Sequence, residues 1–245
     1  MYKKDKYKIL TNKKIANNVY EMVLEGETKY IVRSGQFINI ELDGFYLRRP
    51  ISVCDYNETT ITIIYKVVGN GTEKMATLKE GETLDVLTGL GNGFNDKRSG
   101  EKPLLIGGGV GTPPMYNLCK KLVEQGKNPT VILGFGSIDD VFYEEKFKKL
   151  GATVYISTVD GSYGTKGFVT DVVKDLKDYT YYYACGPKNM LKAVYDTAIG
   201  NGELSFEEKM GCGFGACMGC TCKTTNGNKR ICKEGPVLRK EEIIW

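Results

Sequence analysis

The chain contains no histidine among its 245 residues and only a single tryptophan. Without histidine, it has no zinc site of the cysteine–histidine type, no Rieske iron–sulfur ligation and no imidazole general base. Any metal centre in this protein must therefore be built from thiolates or carboxylates.

Long apolar runs are missing as well. No segment approaches the ~18 residues of a membrane span, and the first residues, MYKKDKYKIL, lack the apolar core of a secretory signal. The net charge of +4 comes from lysine and glutamate interspersed along the chain rather than from a basic stripe. We expect a cytoplasmic protein that binds neither a membrane nor nucleic acid.

The chain does have eight cysteines, and five of them lie near its carboxyl end. In the reducing cytoplasm, clustered cysteines are metal ligands or redox groups rather than disulfides. Cys212, Cys217 and Cys220 have the C-x4-C-x2-C spacing of plant-type 2Fe-2S clusters, and Cys232 follows further on. The glycines between them let the loop wrap closely around an inorganic core. Structural zinc, and inert thiols or disulfides, remain alternative interpretations.

The fourth ligand has two candidates, Cys222 and Cys232. We favour Cys232, because residues 226–227 (Asn-Gly) are a hairpin signal that returns the chain toward the loop. The register of the hairpin is not fixed by the sequence, so Cys222 stays a rival. Cys54 and Cys119 are expected to be core thiols, the latter because it shares the apolar face of a predicted helix.

Folding patterns divide the chain into three predicted domains of a β plus α/β protein. Residues 1–97 alternate apolar and polar positions between turns, a pattern typical of a β-barrel or a β-sandwich, with a short helix at residues 72–78. Of the two, we expect an antiparallel β-barrel. Residues 98–201 alternate apolar strands with helical segments, which predicts a Rossmann-like parallel sheet. Residues 202–245 are too few for an independent core, so we expect a small cluster-binding domain that needs a metal staple.

Two segments of the predicted barrel favour phosphate. In LRRPISV, Arg48 and Arg49 precede a proline-fixed turn and Ser52, which together suit a diphosphate. The segment IYKVVGNGT ends a strand in a glycine-rich turn at a helix N-terminus. Either segment by itself is equally typical of an edge strand or a turn.

The segment LLIGGGVGTPP joins a predicted strand to a helix through a turn in which the backbone can approach a nucleotide phosphate. Its match to the Rossmann fingerprint is partial, but Cys185 and Gly186 end a later strand at the same edge of the sheet. Cys185 is as typical of a small buried core residue as of a residue at the ligand-binding edge. Asp139 and Asp140 would repel a 2′-phosphate and therefore favour NAD over NADP. The glycines of the turn are Gly107, Gly108, Gly109 and Gly111.

Together these motifs resemble the ferredoxin-reductase superfamily and, within it, the electron-transfer subunits of NAD-linked dihydroorotate dehydrogenase. RRPIS, YKVVGNGT, GLGNGF, GGGVGTPP, DGSYGTKGFVTD, ACGPKNM and GCGFGACMGC occur in the family order over nearly the whole chain. The chain departs from the family at Ser34, where the family's turn commonly has a proline. The resemblance implies a 2Fe-2S cluster on Cys212, Cys217, Cys220 and Cys232. It also implies FAD held by Arg49, Pro50, Ile51, Ser52, Ile64, Tyr65, Lys66, Gly71 and Thr72.

The resemblance also implies a function and a partner. An FMN-containing catalytic subunit would oxidise dihydroorotate in pyrimidine (UMP) biosynthesis, and electrons would pass from its FMN through the 2Fe-2S cluster and FAD to NAD+, the co-substrate. The implied assembly is a heterotetramer with two of each subunit. Hydride transfer between flavin and nicotinamide requires no protein acid or base, so we assign no catalytic residue. Another NAD(P)H-linked iron–sulfur flavoprotein subunit and a redox-sensing protein remain alternatives.

Overall fold

Residues 2–245 are described by the computed structural model, and the first part of the chain closes into a six-stranded barrel. Its elements are β1 (Lys3–Ala16), β2 (Val19–Glu25), β3 (Phe37–Glu41), β4 (Arg49–Tyr56), β5 (Thr60–Lys66), α1 (Asn70–Thr77) and β6 (Thr83–Leu90). Neighbouring strands are antiparallel in the order β1-β2-β5-β4-β3-β6, and β1 pairs with β6 to close the barrel. The predicted antiparallel barrel is confirmed.

Helix α1 begins at residue 70 rather than at the predicted residue 72. The hydroxyl of Thr72 accepts hydrogen bonds from the N–H groups of Val68 and Gly69 and donates to the carbonyl of Gly69. These bonds fold the glycine turn into the first helical turn, so the helix starts within the turn rather than after it.

The second part of the chain forms a seven-stranded sheet, and a two-stranded hairpin follows it. In chain order the elements are β7 (Pro103–Gly108), α2 (Thr112–Glu124), β8 (Thr130–Phe135), α3 (Glu144–Lys149), β9 (Thr153–Thr158), β10 (Thr165–Lys166), α4 (Val169–Asp175), β11 (Tyr181–Cys185), α5 (Lys188–Thr197), β12 (Gly202–Ser205), β13 (Thr221–Thr224), β14 (Gly227–Arg230) and β15 (Val237–Arg239). Within residues 2–245, no helix combines the length and apolarity needed to cross a bilayer.

The sheet is parallel except at one edge, which confirms the predicted Rossmann-like class. Its order is β10-β9-β8-β7-β11-β12-β15, and only the β12–β15 pair is antiparallel. The chain moves outward from β7 through β8 to β10 and then returns to the other side of β7 at β11. Open α/β sheets bind ligands at such a reversal, outside the carboxyl ends of the strands.

Apolar side chains of α2 cover one face of the sheet, as the helical spacing predicts. Met115, Leu118, Cys119 and Leu122 are buried together with residues of β7 and β8. Cys54 on β4 belongs to the same core. The expectation that Cys54 and Cys119 are core thiols is therefore confirmed.

The last part of the chain is tied to the sheet through β12 and β15, and its hairpin turns at residues 225–226 between β13 and β14. Ile231, Leu238 and Ile243 join the core that covers the other face of the sheet. The segment therefore gains apolar burial from the sheet, which sequence periodicity alone did not reveal. The division at residues 97/98 and 201/202 stays a prediction.

Glu203 on β12 is a buried carboxyl where the sheet meets the connection from the barrel. The residue is 4% exposed, and its Oε2 accepts a hydrogen bond of 2.8 Å from the N–H of Asn95. Arg98 Nε lies 4.0 Å from Oε1. Burial outweighs these partners and raises the pKa of Glu203 to about 6.

A raised pKa means that the folded state binds a proton more tightly than the unfolded state. The protonated Glu203 carboxyl therefore contributes to the free energy of unfolding at low pH. This contribution, up to about 2 kcal/mol, is lost as pH rises from about 4.5 to about 6. We expect Glu203→Gln to remove this part of the pH dependence in urea unfolding. The exposed Glu80→Gln should keep the wild-type slope, and an unchanged slope in Glu203→Gln would contradict the prediction.

Candidate functional site

A cavity of about 370 Å³ opens between the barrel and the carboxyl edge of the sheet. The barrel contributes β4 and β5, and the sheet contributes Cys185 at the end of β11. We call it the flavin cavity, because eight of the nine residues predicted to hold FAD line it. They are Arg49, Pro50, Ile51, Ser52, Ile64, Tyr65, Lys66 and Thr72.

The ninth residue, Gly71, acts through Arg49. A Cβ at position 71 would lie 2.0 Å from Nε of Arg49, so a glycine is needed for the guanidinium to lie against the first turn of α1. The guanidinium also lies 4.8 Å from the ring centre of Phe45. A fixed cation beside a helix N-terminus favours a diphosphate. These residues therefore fit the pyrophosphate of FAD.

A second cavity, of about 510 Å³, lies at the carboxyl ends of β7, β8 and β9. Gly108 and Gly109 form part of its wall, and so do the glycines on either side of Phe135. We call it the nucleotide cavity, because it occupies the reversal point of the sheet, where the glycine turn meets α2.

The other predicted glycines lie behind this wall and permit close packing. A Cβ at Gly111 would be 2.2 Å from the carbonyl oxygen of Cys185, and one at Gly107 would be 2.9 Å from Cα of Thr112. A Cβ at Gly186 would meet the methyl group of Met190 at 2.6 Å. Gly107, Gly111 and Gly186 therefore let the turn, β11 and their helices approach one another.

Cys185 lines the flavin cavity rather than the nucleotide cavity. Burial, with the carboxylate of Glu207 adding to it, raises the pKa of Cys185 to about 12, although the hydroxyl of Ser205 acts in the opposite direction. The thiol is therefore neutral at physiological pH. It presents a small polarizable group to the cavity rather than a nucleophilic thiolate.

The two cavities share part of their walls. Val110, from the glycine turn, and Lys66, from the end of β5, line both. Lys66 Nζ is 3.9 Å from a carboxylate oxygen of Asp140, which lines the nucleotide cavity. The chain segment after β8 contains no cation before Lys146, but the fold supplies one from the barrel. Sequence reasoning missed this contact, because the two residues are far apart in the chain.

The loop of residues 211–220, here called the thiolate loop, aims backbone N–H groups at cysteine sulfur. Ala216 N–H donates to Sγ of Cys212 at 3.2 Å, and Cys217 N–H donates to the same sulfur at 3.4 Å. Burial by itself would raise the pKa of Cys212, but the N–H groups of Cys217, Phe214 and Ala216 outweigh it and lower the pKa to about 6. The loop is therefore shaped to hold a thiolate.

The four predicted ligands lie in two pairs. Cys212 N–H donates to Sγ of Cys217, and Cys232 N–H donates to Sγ of Cys220, both at 3.4 Å. Cys220 and Cys232 are each 2% exposed, whereas Cys217 is open to solvent. Within residues 2–245, no group of three or more cysteine, aspartate or glutamate side chains is arranged to hold one metal ion. Two pairs fit a two-iron core, in which each iron takes two thiolates.

Cys222, the rival fourth ligand, lies on β13 opposite Lys229 and packs at the edge of the core. Burial and the carboxylate of Glu208 raise the pKa of Cys222. The hairpin brings Cys232, rather than Cys222, back to Cys220 through the N–H···S contact. The geometry therefore favours Cys232 as the fourth ligand.

Comparisons with known proteins identify the relatives of this chain. Residues 207–244 match the iron–sulfur cluster binding domain of dihydroorotate dehydrogenase B, and residues 105–196 match the oxidoreductase NAD-binding domain. The electron transfer subunit of dihydroorotate dehydrogenase B (NAD(+)) from Geobacillus sp. (strain WCH70) is 43% identical, with 100% of each chain covered. The subunit of the same name from Fusobacterium nucleatum is 44% identical, with 95% of each covered. The chain belongs to this family of electron transfer subunits.

Solved structures of other oxidoreductases have the same fold as this chain. One chain of the NADH-dependent reduced ferredoxin-NADP oxidoreductase is 32% identical and superposes with a TM-score of 0.88, covering 98% of this chain and 90% of that one. A ferredoxin NADP+ reductase from Neisseria gonorrhoeae, at 18% identity and a TM-score of 0.69, covers 79% of this chain and 89% of its own and shares the fold alone.

Sequence reasoning missed the segment that joins the flavin cavity to the thiolate loop in this family member. Phe206, Glu207, Glu208 and Met210 line the flavin cavity directly after β12. The available signal was their position, since they follow a strand that ends at the ligand-binding edge of the sheet. They carry no phosphate-binding or ligand pattern of their own.

The paired geometry predicts different outcomes for the two candidate cysteines. We expect Cys232→Ser to lose iron and acid-labile sulfide, because it removes a ligand beside Cys220. Cys222→Ser should retain both and serves as the matched control. Iron, sulfide and FAD content of anaerobically purified protein measures the difference. Iron loss in Cys222→Ser with full iron in Cys232→Ser would assign the ligand to Cys222.

Proposed function

We propose that this chain is the electron-transfer subunit of an NAD-dependent dihydroorotate dehydrogenase in pyrimidine biosynthesis. The observation that carries the proposal is the order of the sites along connected walls. Met210 lines the flavin cavity two residues before Cys212, while Lys66 and Val110 line both the flavin and nucleotide cavities. This order supports a flavin site between a cluster site and a nucleotide site.

FAD supplies, when bound, the conversion between one-electron and two-electron transfer that a 2Fe-2S cluster and NAD require. The chain's own residues bind and orient these groups. Arg49, Ser52 and the first turn of α1 would hold the FAD phosphates, and Gly108 and Gly109 would face the nucleotide. The four cysteines Cys212, Cys217, Cys220 and Cys232 would hold the cluster. The proposal assigns one domain to each group. FAD binds to residues 1–97, NAD binds to residues 98–201, and the cluster binds to residues 202–245.

The partner would be an FMN-containing catalytic subunit that oxidises dihydroorotate, in a heterotetramer with two of each subunit. Cys217 is open to solvent and Met218 beside it is 54% exposed, which makes the thiolate loop the accessible end of the series. Electrons from the partner would therefore enter at the thiolate loop and leave at the nucleotide cavity.

Cys217→Ser tests the route in the assembled complex with the FMN subunit. Dihydroorotate-dependent NAD+ reduction should fall by more than about 100-fold, because losing a ligand costs more than the 10- to 100-fold loss of a supporting partner. FAD binding and NADH-dependent dye reduction should persist, since neither needs the cluster. Cys222→Ser should behave as wild type, and full NAD+ reduction by Cys217→Ser would refute the route. Isolation of the native chain with a hydrogenase or a glutamate-synthase-like subunit would favour another iron–sulfur flavoprotein.

Asp139 and Asp140, the two acidic residues after β8, differ in their position relative to the nucleotide cavity, so they can be compared in a test of the preference for NAD over NADP. Asp140 faces the nucleotide cavity, and its buried Oδ1 accepts no hydrogen bond within residues 2–245, although the ammonium of Lys66 lies 3.9 Å away. Asp139 instead lines a separate shallow hollow. Its backbone carbonyl accepts a hydrogen bond from the N–H of Asn17. We therefore expect Asp140, rather than Asp139, to repel a 2′-phosphate.

Asp140→Asn should raise the ratio of kcat/KM for NADPH to that for NADH by roughly tenfold, which corresponds to removing about 1.4 kcal/mol of repulsion. Asp139→Asn should leave the ratio unchanged. Steady-state diaphorase kinetics with both coenzymes measures the effect. An equal change in both variants would show that Asp140 does not act within the cavity.

A further inference from the structure

Two side chains outside the thiolate loop bind carbonyl groups of that loop. Asn39, on β3 of the barrel, donates from Nδ2 to the carbonyl oxygen of Cys212 at 3.3 Å. Arg230, at the end of β14, donates from Nη1 to the carbonyl oxygen of Gly215 at 2.6 Å. Neither residue is among the predicted ligands or cofactor contacts. Of the two, Arg230 binds the peptide whose N–H reaches a ligand sulfur.

The peptide between Gly215 and Ala216 is trans, so its C=O and N–H point in opposite directions. The C=O points to Arg230, and the N–H of Ala216 points to Sγ of Cys212 at 3.2 Å, the shortest of the four N–H···S contacts around the thiolates. A hydrogen bond from a cation to the C=O fixes the peptide plane and polarises its N–H. Arg230 thereby strengthens a hydrogen bond that it does not itself make.

Arg230 is held in place by Glu234. The carboxylate of Glu234 accepts Nε of Arg230 at 2.9 Å, Nη2 at its other oxygen, and the backbone N–H of Arg230 at 2.9 Å. The planar guanidinium can bind a carboxylate along one edge and still direct Nη1 to the carbonyl of Gly215. A lysine ammonium at this position keeps the charge but lacks the fixed fork that serves both partners.

We propose that Arg230 is a positioning residue that sets the reduction potential of the 2Fe-2S centre through the Gly215–Ala216 peptide. The proposal rests on the cluster-binding function proposed above. Hydrogen bonds to ligand sulfur are one of the levers on cluster potentials. They favour the reduced cluster, because it carries the additional negative charge. A looser peptide should therefore make the cluster harder to reduce.

The test is an EPR-monitored redox titration of the complete, FAD-loaded chain in wild type, Arg230→Lys, Arg230→Gln and Lys229→Gln. Lys229 is the matched control, because it neighbours Arg230 on β14 but pairs with Glu242 at 2.8 Å. Both Arg230 variants should shift the reduction equilibrium at least threefold toward the oxidised cluster, which is about 28 mV for a one-electron couple. Lys229→Gln should keep the wild-type potential, and iron content should be equal in all four proteins.

A wild-type potential in Arg230→Lys would overturn the inference, because charge alone would then account for any effect of Arg230→Gln. If the cluster potential shifts as much in Lys229→Gln as in the Arg230 variants, the inference is also overturned, because loss of any nearby positive charge would then explain the shift. If both Arg230 variants lose iron but retain FAD and the wild-type melting temperature, the peptide contact holds the cluster rather than tuning its potential, and the inference is overturned. If they lose FAD and stability as well, Arg230 merely maintains the fold. Wild-type protein without iron would overturn the proposed function itself.

Discussion

Backbone N–H groups that stabilise thiolate charge are the interaction on which the rest of this structure depends. Three backbone N–H groups lower the pKa of Cys212 although burial opposes them, so this sulfur can be held as an anion. Gly213 and Gly215 adopt φ values of 78° and 92°, and these conformations turn the thiolate loop so that its N–H groups face the sulfurs. A Cβ at Gly213 would lie 2.3 Å from Nδ2 of Asn39, so the same glycine also lets the loop rest on the barrel.

The thiolate loop is fixed relative to the flavin cavity by the sheet. Cys185 and Ser205 are register partners at the ends of β11 and β12, and both line the flavin cavity. The chain then runs from Ser205 along the cavity to Met210 and directly into the loop. On the opposite side, the glycine turn after β7 brings Val110 to the wall that the flavin and nucleotide cavities share. One sheet edge thus sets the spacing of all three sites, which suits a protein that moves electrons over short distances.

Much of this arrangement was predictable, because local chemistry dictates it. The spacing of Cys212, Cys217 and Cys220 indicates a two-iron loop, and the alternation in segments such as TITIIYK indicates a barrel. Gly107 and Gly111 were recognised as a binding turn, although the structure gives them packing roles against α2 and β11. Contacts such as Lys66 with Asp140 join residues that are distant in the chain, so they follow from tertiary packing that no local pattern encodes.

The C-terminal segment shows the same limit. Its composition predicted a separate metal-stapled unit, since aliphatic periodicity is weak there. The apolar burial it gains comes from pairing β12 and β15 with the sheet and from placing Ile231 and Leu238 in a core built by other parts of the chain. Such burial depends on a surface that the segment does not itself contain.

Anaerobic addition of NADH to the isolated, iron-loaded chain tests the order of the three sites most directly. With FAD bound, NADH should produce the EPR signal of a reduced 2Fe-2S cluster, and the FAD-depleted chain should give no signal with NADH although dithionite still reduces it. A cluster signal from NADH in the absence of FAD, or no signal in its presence, would contradict a flavin site placed between the nucleotide cavity and the thiolate loop.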